Sequence, residues 1–142
     1  MDPIQTSHVL LFDNDKVLLV RHEVAAGHLT GTYGIPGGRT DEGESLQKTV
    51  IRELAEETGL SVQEKDLQEF PNNQYTADIK RKDASTNRYK MNIFVSKQFE
   101  GILKKTSESS PEWIKLDDLS TYNLLPNVKQ AIMDSIKFLK DS

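Results

Sequence analysis

The hydrophobic positions follow two different periods. Residues 9–12 and 17–20 are short continuous apolar runs, Val9-Leu10-Leu11-Phe12 and Val17-Leu18-Leu19-Val20, joined by the polar Asp13-Asn14-Asp15-Lys16. Such a pattern predicts two antiparallel strands closed by a hairpin turn. Residues 74–79 and 89–99 also read as strands, on either side of a charged connection over 80–88, and Gly101 stops the second of them. A further short strand is expected at 113–116. Elsewhere the apolar residues recur every three or four positions. Leu46, Val50, Ile51 and Leu54 share one face of a predicted helix over 45–58, which ends at Gly59. Val128, Ile132, Ile136 and Leu139 predict an amphipathic helix that follows Pro126 and closes the chain. Between the first strands and the first helix, residues 25–43 carry six of the eight glycines and read as loop and tight turns. Strands, a helix, more strands and a final helix imply an α+β structure, with helices packed on a mixed sheet.

Composition narrows this picture. A chain of 142 residues with 36% hydrophobic content suits a single domain, residues 1–142, around one core. The absence of cysteine excludes disulfides, thiolate metal sites and cysteine nucleophiles, so any metal must be held by oxygen or histidine. It also suits a reducing compartment, and a cytoplasmic location is expected. The apolar runs are far too short to span a bilayer. A formal charge of −4 gives no basic footprint for long nucleic acid, so an anionic small molecule would need local cations.

The first helix carries its acids in an unexpected place. At about 100° per residue from Leu46, the apolar residues cover an arc from roughly 0° to 140°, with Glu57 near ~20°, Glu53 near ~340° and Glu56 near ~280°. Two of the three carboxylates thus overlap the edge of the apolar face. The pairs 53/56 and 53/57 repel by roughly 0.2 to 0.5 kcal/mol each, and the carbonyls of the last turn add to that repulsion. A solvated acidic face is the plain reading of such a triplet taken alone. The alternative is that these hard oxygens hold Mg²⁺ or Mn²⁺, which would remove the repulsion and bridge to phosphate oxygens.

The residues around the triplet favour the alternative. Gly38-Arg39-Thr40-Asp41-Glu42-Gly43-Glu44, then seven residues, then Arg52-Glu53-Leu54-Ala55-Glu56-Glu57-Thr58-Gly59-Leu60 resembles the complete Nudix box. A chance match at all its positions is on the order of 10⁻⁹ per window at average residue usage. Tyr33-Gly34-Ile35-Pro36-Gly37 resembles the family's approach to the box, and residues 112–119 resemble its later segment. The resemblance is to the MutT-like branch of the Nudix hydrolases and implies the family's α/β/α sandwich. It also implies that Glu53, Glu56 and Glu57 bind the metal, with the Gly38 carbonyl as a further ligand, and that one glutamate or a nearby acid is the base. Glu44 and Arg52 resemble the pair that braces the loop against the helix.

Outside the box the resemblance is looser. The strand position where the MutT-like branch often adds a metal-binding acid here carries Lys97, so Glu100, Glu108 or Glu112 would have to substitute, and Glu112 is chosen. Arg21 resembles a substrate-contacting arginine, and Gly37 and Gly38 are expected against the substrate. Tyr33 and Trp113 are candidates for stacking on a base, although core packing is the favoured reading of both. Asn127 resembles a base-reading position, with helix capping preferred. His22 and His28 read as surface residues, and Lys80-Arg81-Lys82, Arg88 and Lys90 as a solvated hairpin tip. The expected activity is divalent-metal-dependent hydrolysis of a diphosphate linkage in a nucleoside triphosphate or a related derivative, by a monomer or homodimer. Diadenosine polyphosphates are an alternative suggested by Tyr75, as are nucleotide sugars or ADP-ribose, and non-catalytic nucleotide sensing on the same fold.

Overall fold

The computed structural model describes residues 2–141. The chain runs through β1 (Ile4–Asp13), β2 (Lys16–His22), β3 (Tyr33–Gly34), β4 (Gly37–Arg39), α1 (Leu46–Thr58), β5 (Leu60–Ser61), β6 (Gln68–Lys80), β7 (Thr86–Ser96), β8 (Glu100–Gly101), β9 (Ser109–Lys115) and α2 (Val128–Asp141). Short 3-10 turns cover Glu64–Asp66 and Leu116–Thr121. The Ser45 hydroxyl accepts the Lys48 N–H and caps α1, and Gly59 closes it by donating to the Ala55 carbonyl. Among the described residues, no helix is long and apolar enough to cross a membrane.

The sheet is mixed, because β1 runs parallel to β7 and antiparallel to β4, while β6 returns antiparallel along β7. Strand alternation then sorts the core into two layers. Val9, Leu11, Leu18 and Phe94 face α1 and bury Val50 and Leu54. Leu10, Phe12, Met91 and Ile93 face α2 and bury Ala131 and Ile132. The result is a helix–sheet–helix sandwich, in which burying each large aliphatic side chain contributes about 1.5 to 3 kcal/mol.

The hairpin expected at the start determines where the cleft lies. β1 and β2 pair only at Phe12↔Val17 and Asp13↔Lys16, next to a turn in which Asn14 takes φ 54°. Beyond that point they diverge, and β4 takes the free edge of β1 while β3 and β9 flank β2. β1 also begins earlier than its apolar run. Gln5, Thr6, Ser7 and His8 are polar, yet they are paired into the sheet by β7. The Ser7 hydroxyl donates to the Leu46 carbonyl at 2.7 Å and the Asn92 amide to the Thr6 carbonyl at 3.0 Å, which satisfies this polar end of the strand. β6 likewise starts at Gln68, ahead of the expected 74, with a register break between Glu69 and Gln74 where Asn72 takes φ 59°.

Candidate active site

The divergence of β1 and β2 opens a cleft of about 160 Å³, floored by Thr6 and His8 from β1 and Val20 and His22 from β2. Its apolar end is closed by Ile79, Met91, Leu125 and Val128. A second depression, lined by Glu53, Glu56, Glu57 and Glu108, shares His22, His28, Gly37, Glu57 and Arg81 with the first. Apolar and acidic halves therefore meet at Glu57.

Two glycines make this junction possible. Gly37 has φ 154°, and a Cβ there would fall 2.2 Å from the Ser7 carbonyl oxygen, so only glycine allows the loop to lie against β1. Its N–H donates to Glu57 Oε1 at 2.9 Å. At Gly38 a Cβ would stand 2.5 Å from the Glu53 carboxyl carbon, so the loop backbone rests directly on that carboxylate. The other side of the loop is clamped by Arg52. Its Nε and Nη2 donate to the two Glu44 oxygens at 2.9 and 3.0 Å, its Nη1 donates to Glu53 Oε1 at 2.9 Å, and its Nη2 reaches the Arg39 carbonyl at 3.3 Å. Glu44 also accepts from the Thr49 hydroxyl and the Asp41 N–H, and with Arg52 as the main cause its carboxyl is held down at about 2. Arg52 and Glu44 thus hold the loop and Glu53 in position.

Desolvation dominates the electrostatics. Burial in the cleft pushes Glu57 up to about 8, against the Gly37 hydrogen bond, with the charges of Glu53, Glu56 and Glu108 adding to the shift. Glu53, with a side chain 19% exposed, is also raised, chiefly by burial, while Arg52 opposes the shift. Glu56 is 59% exposed and lies 3.6 Å from Arg52 Nη1. The spacing alone predicted repulsion and the helix dipole as the main costs; the structure adds loss of water as the larger one. Desolvation also brings His8 and His22 down to about 4 and lowers His28, so the imidazole wall of the cleft is uncharged at neutral pH.

Several residues lie elsewhere than expected. Strand alternation puts Arg21 on the face of β2 opposite Val20 and His22, 46% exposed and 3.7 Å from Glu23, where it does not line the cleft. Its register partner Tyr33 packs edge-on against Tyr122 at 5.0 Å. Burial and then Glu112 push the Tyr33 phenol up to about 12, so Glu112 sits against Tyr33 and not with the glutamates of α1. Glu112, the expected metal ligand from outside the box, therefore does not line the acidic depression, whereas Glu108, tied by its carbonyl to the Glu23 N–H, does. Trp113 stacks on Phe99 in the layer under α1.

Asn127 also changes its reading. It takes φ 70°, not the extended backbone of an N-cap, and its amide donates to the Thr76 carbonyl at 3.0 Å, outside the cleft. Asn127→Ala should therefore lower stability by roughly 1 kcal/mol or more without re-ordering kcat/KM among the four nucleoside triphosphates. A changed ranking would instead place the side chain on the base. His22, His28 and Arg81, read as surface from sequence, line the cleft, and His8 and Arg39 join them unpredicted. His8 was detectable, because it shares the face of Leu10 by simple alternation.

Among the described residues, no three Asp, Glu or His side chains are gathered into a coordination shell. The donor chemistry nevertheless fits a hard divalent cation. Glu53 and Glu57 are carboxylates whose charge is poorly solvated where they stand, and Mg²⁺ is commonly held by one or two carboxylates, with water and substrate phosphate completing the shell.

Comparison with known proteins agrees with this geometry. The chain is 28% identical over 123 residues to the Nudix hydrolase YvcI of Bacillus subtilis, covering 86% of this chain and 72% of the relative. A 51-residue stretch is 39% identical to a putative 8-oxo-dGTP diphosphatase 3 of Mycobacterium tuberculosis, covering 36% of this chain and 24% of that protein. In fold it is similar to a MutT Nudix hydrolase from Burkholderia pseudomallei, with a TM-score of 0.76 at 20% identity over 94% of this chain and 98% of the other. It is equally similar to the Nudix domain of Shewanella oneidensis NrtR solved with ADP ribose, with a TM-score of 0.76 at 23% identity over 98% and 90%. The NUDIX domain family model matches residues 2–136. Together with the glutamates brought to the cleft, that match shows that the chain belongs to the Nudix family, as a pyrophosphohydrolase acting on a nucleotide.

Proposed function

We propose that the substrate is a nucleoside triphosphate, modified purine forms included, cleaved to a nucleoside monophosphate and pyrophosphate with Mg²⁺ or Mn²⁺. The observation that carries this reading is the junction at Glu57 of an apolar cleft end with an acidic one, which suits a base at one side and a phosphate chain at the other. When bound, the cation supplies neutralisation of the phosphate charge and a lowered pKa for the attacking water. Glu53, Glu56 and Glu57, with the Gly38 carbonyl, would hold it.

The protein's own residues set up the displacement. Either Glu53 or Glu57, in its ionised form and not engaged by the cation, would take the proton from the attacking water. Water forms the new bond to phosphorus, the anhydride P–O bond breaks, and pyrophosphate leaves. Arg52 and the Gly37 N–H keep the two carboxylates in place during this step. Glu108 would add charge at the cation from outside the helix. Glu108→Gln should raise the Mg²⁺ concentration for half-maximal rate about 10-fold, and Glu112→Gln should leave it unchanged; the reverse pattern would restore Glu112.

The relative from M. tuberculosis carries an 8-oxo-dGTP diphosphatase name, which supports including oxidised purine nucleotides among the substrates. The one feature that favoured diadenosine polyphosphates is absent from the cleft, because the Tyr75 hydroxyl donates to Asp134 at 2.7 Å on α2. The reading is tested by kcat/KM across ordinary and oxidised nucleoside triphosphates, ADP-ribose and diadenosine polyphosphates. Triphosphates should rank first; a preference for ADP-ribose would replace them.

A further inference from the structure

We propose that Arg81 binds the phosphate nearest the nucleoside, and that residue 27 is glycine to leave room for the Arg81 guanidinium. This rests on the reading of the cleft as a site for nucleotide hydrolysis. Its acidic half presents Glu53, Glu56, Glu57 and Glu108 to a substrate that is itself anionic, so a cation must be available there. Arg52 is the nearest by sequence, but its guanidinium is occupied by Glu44 and Glu53, with Asp41 and Glu56 within 3.4 and 3.6 Å. Arg81 lines both halves of the cleft and makes no ion pair among the described residues. Its side chain donates from Nη1 to the neutral Tyr89 hydroxyl at 3.1 Å, a contact that orients the guanidinium without neutralising it. A planar fork held in this way keeps donors for two phosphate oxygens.

Gly27 supports the assignment independently. A Cβ at that position would stand 1.7 Å from Arg81 Nη2 and 2.8 Å from Cζ. Gly27 is not among the glycines with positive φ, so its backbone conformation does not require glycine. The space over it does. The same loop is strapped to the β6–β7 hairpin, since the Lys82 N–H donates to the Gly27 carbonyl at 3.2 Å and Lys82 Nζ to the Val24 carbonyl at 2.6 Å. The strap brings a hairpin tip that would otherwise be solvated across to the cleft.

The test is binding of a nucleoside monophosphate and of the matching free nucleoside, measured by calorimetry in EDTA, beside steady-state hydrolysis of the triphosphate with Mg²⁺. Arg81→Gln should weaken monophosphate binding about 10- to 100-fold and leave nucleoside binding within about twofold. KM for the triphosphate should rise more than kcat falls. Gly27→Ala meets only the movable end of a side chain, so it should leave the melting temperature near that of the wild type while weakening monophosphate binding in the same direction. In the Arg81→Gln background it should add little, because both changes act through one guanidinium. Equal losses for nucleoside and monophosphate, or no loss in folded Arg81→Gln, would overturn the phosphate assignment; additive effects of the two substitutions would overturn the role of Gly27. A wild type that binds the monophosphate through Arg81 but hydrolyses no triphosphate would count against the proposed activity and leave the Arg81 assignment standing.

Discussion

Glu53→Gln should lower kcat at least ~10²-fold while leaving the fold intact. Glutamine has the same volume, so it keeps the contact with Gly38, and its amide oxygen can still accept from Arg52 Nη1. The Arg52–Glu44 clamp on the loop does not depend on the charge of residue 53. What is lost is one negative charge at the centre where the cation and the phosphate would meet. Because Glu53 is itself raised by burial, the neutral side chain should not destabilise the metal-free protein. Pyrophosphate release under saturating substrate gives kcat, and thermal unfolding reports the fold. A near-wild-type rate would remove Glu53 from the reacting centre.

Glu57→Gln should have opposite effects on stability and on activity. In the folded, metal-free protein Glu57 titrates at about 8, against an ordinary 4.5. The folded state then binds more protons than the unfolded one between these values, so the contribution of this group to stability is complete below about pH 4.5 and is lost as pH rises through about 8. Glutamine does not titrate. In EDTA the variant should match the wild type near pH 5 and exceed it near pH 9 by on the order of 2 kcal/mol, less than the full shift implies because the carboxylate keeps some access to solvent. Excess Mg²⁺ should raise the wild-type melting temperature and the variant's less, since a ligand bound only by the folded state stabilises it by mass action. Turnover by the variant should collapse. Unfolding curves at two pH values, with and without Mg²⁺ at matched ionic strength, check all of this. A variant less stable than wild type at pH 9 in EDTA would contradict the desolvated carboxylate.

The parts of the molecule that were readable in sequence are those set by local periodicity. The four-residue spacing of Leu46, Val50 and Leu54 placed α1, and about 100° per residue put Glu53 and Glu57 at its apolar edge, where the structure has them partly buried. The family model confirms the resemblance drawn from the box. What was not readable depends on contacts distant in sequence. Local pattern does not reveal that β2 leaves β1 after two pairs, and that divergence alone turns Thr6, His8 and His22 into cleft walls. Nor does it reveal that the 80–85 turn is tied back to residues 23–27, which converts Arg81 from a solvated tip residue into a cleft residue. Glu108 and Glu112 were equivalent as acids; the register of β9 on β2, with Glu112 opposite Leu19, carried Glu112 to Tyr33 and left Glu108 beside the glutamates.

The most direct test of the metal-dependent mechanism is product analysis. A nucleoside triphosphate incubated with the protein and Mg²⁺, then resolved by chromatography, should give nucleoside monophosphate and pyrophosphate in equal amounts, and excess EDTA should abolish both. Tight nucleotide binding with no turnover under Mg²⁺ or Mn²⁺, or turnover that survives the chelator, would contradict it.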